Sequence, residues 1–390
     1  MRGSETEHRQ HNVLIVDDAP ANVRLLSQML TAQGFKVRAA TSGERALEAM
    51  RSAPADLVLL DVRMPGMSGY EVCQQLKRDG RTSEVPVIFI SALQDLSDKM
   101  LGFAAGGVDY VTKPFQVEEV LARIQTHLAL RDLQTQLQEA NRRLERELAL
   151  AGRVQTSLLP KEVPELPGWD LAVTLRPARQ TSGDYYDLIR LRDDRLGIVM
   201  ADVVDKGAGA ALYMALTCTL LRTYAAEPSA DPAQVLSSVN HRLLMDMAAS
   251  EFVTVFYGVL DPPTGELVYA NAGHHPPYVF KSGLDEDVRT LERTGLPLGI
   301  FEDGVWDRRS VQLAPEDVLL LYTDGITDSQ DQRGRFFGAE RLLASAAASR
   351  GESAQVMQER IWLDVDAFAG DAPQRDDMAL MVVSRLRLSD

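Results

Sequence analysis

The chain has 390 residues, 45% of them hydrophobic, which is enough apolar material for two or three globular domains. Acidic residues outnumber basic ones by 56 to 41, and this balance disfavours a nucleic-acid surface because phosphate backbones select a basic face. The longest apolar stretch, near 210–221, is too short to span a bilayer, and the N-terminus has no hydrophobic signal core. Cys73 and Cys218 have no spacing that indicates a metal site or a disulfide framework. We therefore expect a cytoplasmic protein.

The first 125 residues alternate short apolar runs with helical patterns. Such alternation is typical of β and α units on a buried parallel sheet, and functional groups collect at the carboxyl ends of its strands. We therefore predict a doubly wound α/β domain over 11–125. The polar residues that follow the runs NVLIV, ADLVLL, VPVIFI and VDYV are Asp17 and Asp18, Asp61, Ser91 and Lys113, respectively.

The texts DVRMPGMSG at 61–69 and KPF at 113–115 make this segment resemble the receiver domain of two-component response regulators. The resemblance implies that a sensor histidine kinase phosphorylates Asp61 and that Asp17 and Asp18 bind Mg²⁺ beside it. The alternative is that these acids and Lys113 only cap elements and solvate a surface. The switch residues that the resemblance implies are Ser91, which senses the phosphoryl group, Lys113, which contacts it, and Tyr110, whose ring reorients.

Residues 126–160 are predicted to form a helical linker. The segment 116–158 contains no proline and is rich in good helix formers, and apolar residues recur along it at steps of seven and three. The pattern breaks at Glu147, where Leu148 stands beside the expected position, as in a stutter. We predict a long helix that forms a coiled-coil homodimer or, alternatively, packs on the domain that follows. The seam positions are Leu130, Leu133, Leu137, Ala140, Leu144, Ala151, Val154 and Leu158.

Beyond Trp169 the pattern changes to many short strands with few helices between them. The helical patterns lie at 207–226, 232–248, 338–349 and 353–368. Strands grouped in this way predict an antiparallel or mixed layered α+β domain, over 165–390, rather than a second parallel sheet. The segments predicted as strands are LAVTL, DLIRL, LGIVMADV, FVTVFYGVLD, ELVYANAG, PYVFK, RRSVQL, DVLLLY and MALMVVS.

Four acids in this region stand where a hydrophobic strand meets a turn: Asp184, Asp202, Asp324 and Asp376. Two unit charges about 4 Å apart repel by roughly 4 kcal/mol at an effective dielectric near 20, so acids that converge need cations. Hard carboxylate oxygens select Mg²⁺ or Mn²⁺, and these ions assist attack of water on a phosphate. The alternative is that each acid belongs to an ordinary Asp–Gly turn.

The acids occur in order with SLLP at 157–160, RPAR at 176–179, VTVFYGVLD at 253–261, YANAGHHPP at 269–277 and GLPLGI at 295–300. Over roughly 150–388 this order resembles the metal-dependent protein phosphatases of the 2C type, in the bacterial branch that acts in sporulation and stress sigma-factor control. The resemblance implies two packed sheets flanked by helices, and two metal ions held by the four acids and the backbone carbonyl of Val203.

Together, the two resemblances imply a response regulator whose output is dephosphorylation of phosphoserine or phosphothreonine on a protein, such as a phosphorylated anti-sigma-factor antagonist. The rival hypothesis is a non-catalytic adaptor that keeps the phosphatase fold only to bind a signalling partner. Loss of a metal acid would mark the adaptor, and all four acids are present.

Four further positions near the predicted site have two interpretations each. The chain reads ADVVDKG where the family usually reads ADVSGKG, so Asp205, next to Val204, either orients a metal-bound water or caps the helix after Gly207. His274 in NAGHHPP either takes part in catalysis or packs a turn. Arg176 and Arg179 precede Asp184, and each either contacts phosphate or forms a surface ion pair.

Overall fold

Five parallel strands form the sheet of the first of two units into which the chain divides, Met1–Arg142 and Arg143–Asp390. The computed structural model describes residues 10–92, 96–204, 206–227, 231–246, 251–282 and 288–387. The elements of the first unit are β1 (Asn12–Val16), α1 (Pro20–Ala32), β2 (Lys36–Ala40), α2 (Gly43–Ser52), β3 (Leu57–Asp61), α3 (Gly69–Arg78), β4 (Val87–Ser91), α4 (Leu96–Ala104), β5 (Asp109–Thr112) and α5 (Val117–Thr156).

The strand order is β2-β1-β3-β4-β5, and all neighbours run parallel. Strands β3 and β4 are buried along their whole length because apolar clusters cover both faces of the sheet. This burial explains why their sequences are continuous apolar runs rather than alternating ones. The prediction of a doubly wound parallel domain is confirmed, and the ends of β3 and β4 place Asp61 and Ser91 at one edge.

Helix α5 is a single helix of 40 residues that continues from the first unit into the second. It runs uninterrupted through Glu147, and its seam leucines face solvent: Leu133 and Leu137 are each 63% exposed. Leu158 lies beyond the end of the helix, so its assignment to the seam was wrong; it packs on the core of the second unit. Homodimerisation through this helix and the predicted domain boundaries stay predictions.

The second unit contains two antiparallel sheets with strand orders β13-β10-β9-β8-β7 and β12-β11-β14-β15-β6. All the segments predicted as strands form strands, and the short strand β12 is an addition to them. The elements are β6 (Trp169–Arg176), β7 (Asp184–Arg190), a 3₁₀ helix (Arg192–Asp194), β8 (Leu196–Val203), α6 (Ala208–Ala225), α7 (Pro232–Asp246), β9 (Val253–Asp261), β10 (Glu266–Ala272), β11 (Tyr278–Phe280), β12 (Val288–Thr290), β13 (Arg309–Gln312), β14 (Val318–Tyr322), α8 (Asp324–Thr327), α9 (Gly338–Ala347), α10 (Ala354–Ala369) and β15 (Met378–Arg385).

Three apolar clusters set the layers of this unit. Side chains such as Met200 and Phe256 from one sheet meet Leu321 and Met381 from the other between the two sheets. Helices α6 and α7 cover the outer face of the first sheet, and α9 and α10 cover the outer face of the second. The predicted fold of two packed sheets flanked by helices is therefore confirmed.

Helix α6 begins at Ala208, and its N-cap residue is Gly207, whose φ of 95° lies in the left-handed region that favours glycine. Asp205, for which the sequence left two roles open, lies outside the described residues. Cys73 and Cys218 are buried free thiols. Among the helices that the structure describes, none combines the length and apolar character needed to cross a membrane.

Candidate functional site

Two of the predicted metal acids face each other in one sheet. Asp184 opens β7, Asp202 lies next to the end of β8, and the two residues are direct partners in the antiparallel register. In the other sheet, Asp324 follows the end of β14, and Asp376 precedes the start of β15, which pairs with β14. The strand ends of both sheets thus bring their acids toward one end of the sandwich.

Three of the four acids have pKa values raised by burial and by the charges of neighbouring carboxylates. Burial, then the charge of Asp202, raises the pKa of Asp184 well above its ordinary value. Burial, with the charges of Asp324 and Asp376, raises the pKa of Asp202 to about 7. Burial also raises the pKa of Asp324. These shifts mean that the charged forms of these carboxyl groups are disfavoured unless a proton or a metal cation binds to them.

Thr323 orients the most buried of these acids. Its hydroxyl donates to Asp184 Oδ2 at 2.6 Å and accepts from the backbone N–H of Ala379 at 2.8 Å. Because the N–H occupies a lone pair of the hydroxyl, the single hydroxyl proton is directed at the carboxylate. Sequence reasoning missed Thr323, although it stands beside Asp324 in the TDG text that marked the acid.

The second acid of the Asp–Asp pair has a different role from the first. Asp377 is buried, and its carboxylate accepts hydrogen bonds from the backbone N–H groups of Ala178 and Gly183, both at 2.7 Å. It therefore fastens the loop that leads into Asp184. This role was also missed; the only signal was a second carboxylate with no assigned function.

Asp376, by contrast, is 43% exposed and lies 2.9 Å from the ammonium of Lys206. The Lys206 ammonium also donates to the carbonyl of Arg375, at 2.9 Å. One cationic side chain thus approaches the acid cluster from the segment between β8 and α6. The lysine of the KG text was not assigned a function from the sequence.

The first unit has a compact acidic site at the carboxyl edge of its sheet. Ligand oxygens of Asp17, Asp18 and Asp61 all lie within 4.8 Å of one another. The ammonium of Lys113 donates to Asp61 Oδ2 at 2.6 Å and to Asp17 Oδ2 at 2.9 Å. Burial raises the pKa of Asp61, and the Lys113 hydrogen bond opposes that effect. Asn22, which the sequence did not single out, donates to both carboxylate oxygens of Asp17.

The predicted switch residues lie on neighbouring strands. Ser91 is the last residue of β4 and is buried, and its carbonyl accepts a hydrogen bond from the backbone N–H of Lys113 at 2.7 Å. Tyr110 on β5 is 7% exposed, with its hydroxyl 3.2 Å from that of Tyr70 and its ring 5.9 Å from the ring of Phe89. The tyrosine ring therefore occupies an inward position in this structure.

Two family models match this chain in succession. The model described as response regulator receiver domain matches residues 13–125, and the model described as stage II sporulation protein E (SpoIIE) matches residues 192–386, half of the 390 residues. The chain belongs to the SpoIIE family. It joins a receiver domain to a SpoIIE-type phosphatase domain of the 2C class.

Individual relatives agree with this assignment. Phosphoserine phosphatase RsbU of Bacillus subtilis is 31% identical over 261 residues, which cover 67% of this chain and 74% of RsbU. Protein IcfG of Synechocystis sp. is 32% identical over 268 residues, and the match covers 61% of this chain but only 41% of IcfG. The SiaA-PP2C domain of Pseudomonas aeruginosa, at 23% identity, has a TM-score of 0.57 over 64% of this chain and 99% of that domain, which shows a shared fold.

The oxygen-rich acids of the SpoIIE-type domain fit a hard divalent cation. Two oxygens that bind one Mg²⁺ at about 2.1 Å lie at most about 4.2 Å apart. Among the described carboxylates, the only group of three with ligand atoms within 4.8 Å of one another is the receiver group. Ligation by the carbonyl of Val203 stays a prediction.

The remaining candidates lie near this centre in different environments. His274 is completely buried, and burial, with a smaller effect of His275, lowers its pKa to about 3. The guanidinium of Arg176 pairs with both oxygens of Asp366 at 3.0 Å and lies over the ring of Trp362. Arg176 also lines a cavity of about 390 Å³ that reaches Asp376. Arg179 is exposed.

Proposed function

We propose that this chain is a two-component response regulator whose output is metal-dependent hydrolysis of phosphoserine or phosphothreonine on a protein. The observation that carries the proposal is the convergence of Asp184 and Asp202 from one sheet with Asp324 and Asp376 from the other. Burial and neighbouring carboxylates raise the pKa values of the first three of these acids. Similarity to the phosphoserine phosphatase RsbU supports the same reaction.

In this proposal the four acids hold two ions, Mg²⁺ or Mn²⁺, together with the carbonyl of Val203. Bound ions of this kind act as Lewis acids, orient a phosphate and make water nucleophilic at neutral pH. Thr323 keeps the Asp184 carboxylate oriented by its hydrogen bond, and Asp377 holds the preceding loop through Gly183. These contacts preorganise the acids, so that little rearrangement is needed when a substrate binds.

We further propose that a sensor histidine kinase phosphorylates Asp61, with Mg²⁺ held by Asp17, Asp18 and Asp61. Lys113 already contacts the accepting carboxylate at 2.6 Å, and a phosphoryl oxygen would compete for this ammonium. Movement of Ser91 toward the phosphoryl group would then be coupled to Tyr110, since their strands β4 and β5 are direct neighbours.

The proposed substrate is a small phosphorylated protein of the anti-sigma-factor antagonist type, and the proposed location is the cytoplasm. Membership of the SpoIIE family and similarity to RsbU support this substrate class. We also propose that the chain is a homodimer through α5, whose exposed leucines form an apolar stripe. A nucleic-acid partner is not proposed, because the chain carries a formal net charge of −15.

The test is Asp324→Asn, assayed on a phosphoserine peptide and on p-nitrophenyl phosphate, with Mn²⁺ and with EDTA. We expect Asp324→Asn to lose several kcal/mol of transition-state stabilisation, because it removes a metal ligand, and this corresponds to about a 100-fold or greater loss of turnover. The matched control is Asp194→Asn, an exposed acid in the connection between β7 and β8, at the other end of these strands from Asp184 and Asp202.

We expect Asp194→Asn to retain wild-type turnover and Asp324→Asn to retain the fold. A folded Asp324→Asn protein with full Mn²⁺-dependent activity would refute the proposed metal centre. A wild-type chain that binds a phosphoprotein tightly but does not hydrolyse it under any metal condition would support the non-catalytic adaptor instead.

A further inference from the structure

A buried histidine connects the two sheets at the end where the acids converge. His274 is 0% exposed; its Nδ1 lies 3.0 Å from the hydroxyl of Thr254, and its Nε2 lies 3.2 Å from the carbonyl oxygen of Tyr322. Thr254 on β9 is the direct partner of Asp202 on β8. Tyr322 ends β14, two residues before Asp324. The imidazole therefore links one ligand-bearing region of each sheet.

The partners determine which ring nitrogen of His274 carries the proton. A carbonyl oxygen can only accept, so Nε2 carries the proton and donates to Tyr322. Nδ1 is then an acceptor, and the Thr254 hydroxyl donates to it. The same hydroxyl lies 3.4 Å from the carbonyl of Asp202, but its single proton goes to the closer and better acceptor, the ring nitrogen. Both nitrogens are thus used, and neither is available to a substrate.

Two other contacts between the sheets at this end fasten a different strand, β7. Thr323 bonds to Asp184 at the start of β7, and Asp377 bonds to Gly183 just before it. Strand β8, which carries Asp202, lies between β7 and β9. His274 adds a connection on the β9 side. The strand with Asp202 is therefore flanked by two strands that are each tied to the opposite sheet.

We propose that His274 is a positioning residue that sets the separation of Asp202 and Asp324 through its hydrogen bonds to Thr254 and Tyr322, and thereby the affinity of the SpoIIE-type domain for its metal ions. This inference rests on the proposed function, because it assumes that these acids hold the ions. It assigns His274 no contact with the substrate, and its complete burial is consistent with that role.

The experiment measures Mn²⁺ binding directly, by electron paramagnetic resonance of free Mn²⁺, in the full-length chain. Asp61→Asn is included in every variant so that the receiver site makes the same contribution to the measured Mn²⁺ binding in each protein. His274→Leu removes both hydrogen bonds, and we expect Mn²⁺ binding to the phosphatase centre to weaken by about 10-fold or more, the usual effect of removing a group that orients metal ligands. Turnover of p-nitrophenyl phosphate should fall with it, and raising Mn²⁺ should restore part of the loss.

Asn240→Leu is the matched control for the loss of two buried hydrogen bonds. Asn240 is 2% exposed, donates to the carbonyl of Phe301 at 2.9 Å and accepts from the backbone N–H of Gly299 at 2.8 Å. None of these three residues lies on a strand that carries one of the acids. We expect it to lower the melting temperature of the SpoIIE-type domain and to leave its Mn²⁺ affinity at the wild-type value.

Thr254→Val keeps the shape of the side chain and removes the hydroxyl that donates to His274, so it tests the inference even where His274→Leu does not fold. We expect weaker Mn²⁺ binding in Thr254→Val and no additional weakening when it is combined with His274→Leu, because the two side chains share one interaction. The role of His274 would be overturned if folded Thr254→Val bound Mn²⁺ with wild-type affinity, or if Asn240→Leu weakened Mn²⁺ binding as much as His274→Leu does. In either case the proposed function would stand as long as the wild-type chain hydrolysed substrate. A wild-type domain that neither binds Mn²⁺ nor hydrolyses substrate would overturn the proposed function as well.

Discussion

The variant Thr323→Val tests the contribution of the Thr323 hydroxyl while it keeps the volume of the side chain nearly unchanged. Valine is close to threonine in shape, but it cannot donate to Asp184 Oδ2, now 2.6 Å away, nor accept from the N–H of Ala379 at 2.8 Å. The carboxyl of Asp184 is buried, and burial already raises its pKa. Removal of the donor should raise that pKa further and leave the carboxylate free to rotate.

The expected size of the effect follows from the type of hydrogen bond. A hydrogen bond to a charged acceptor contributes about 1.5–3 kcal/mol, which corresponds to about a 10- to 100-fold change in an equilibrium constant. A metal ligand must be deprotonated, so this loss should appear in the Mn²⁺ affinity. The unpaired N–H of Ala379 should separately lower stability by about 1–3 kcal/mol.

The assay is the Mn²⁺ concentration that gives half-maximal hydrolysis of p-nitrophenyl phosphate, with a thermal melt on each protein. Thr323→Ser is the control, because it keeps the hydroxyl and loses one methyl group, worth about 0.8 kcal/mol. Thr323→Val should need about 10- to 100-fold more Mn²⁺, and Thr323→Ser should stay near the wild type. The reasoning is refuted if the valine variant is folded with wild-type Mn²⁺ dependence, or if serine and valine are equally impaired.

Three further predictions concern pH, the receiver and the linker. Burial and neighbouring acids raise the pKa of Asp202 from 3.8 to about 7, so without metal this residue contributes stability at low pH that is lost as pH rises through 7. In EDTA the melting temperature of the SpoIIE-type domain should therefore fall between about pH 4 and about pH 7, Mn²⁺ should raise it most at the upper end, and Asp202→Asn should flatten the dependence. Asp61→Asn should abolish any change in phosphatase rate on adding beryllofluoride while keeping basal turnover; a persistent response would place signal entry elsewhere. Leu137→Asp with Leu144→Asp should dissociate the predicted dimer in light scattering and remove the beryllofluoride response, and a monomeric wild type would contradict the dimer.

Much of the fold could be read from local patterns. The continuous apolar runs ending at Asp61 and Ser91 predicted buried parallel strands, because a strand covered on both faces has no polar side to alternate with. The proline-free segment rich in Leu, Glu and Arg predicted the helix Val117–Thr156. The short strand Val288–Thr290 was not predicted, since three residues are too few for a periodicity to show.

Within the candidate site, the sequence determined which carboxylates stand at strand ends, because each follows or precedes an apolar run. It did not distinguish the roles of the two acids in the pair before β15. Asp377 is tied to the backbone of Gly183 and Ala178, almost two hundred residues earlier, whereas Asp376 is half exposed beside Lys206. Adjacent residues in an extended chain point in opposite directions, so only the packing decides which one faces the loop and which one faces the cluster.

The roles of Thr323 and His274 were likewise decided by tertiary structure alone. A threonine beside an acid and a histidine before two prolines have many local uses, and nothing in their neighbours along the chain selects one. Their partners, Asp184, Thr254 and Tyr322, are brought to them by two sheets that pack face to face. Composition and periodicity determine the elements and the residue types available at their ends; hydrogen bonds between distant segments depend on the distances and directions that exist only after the sheets have packed.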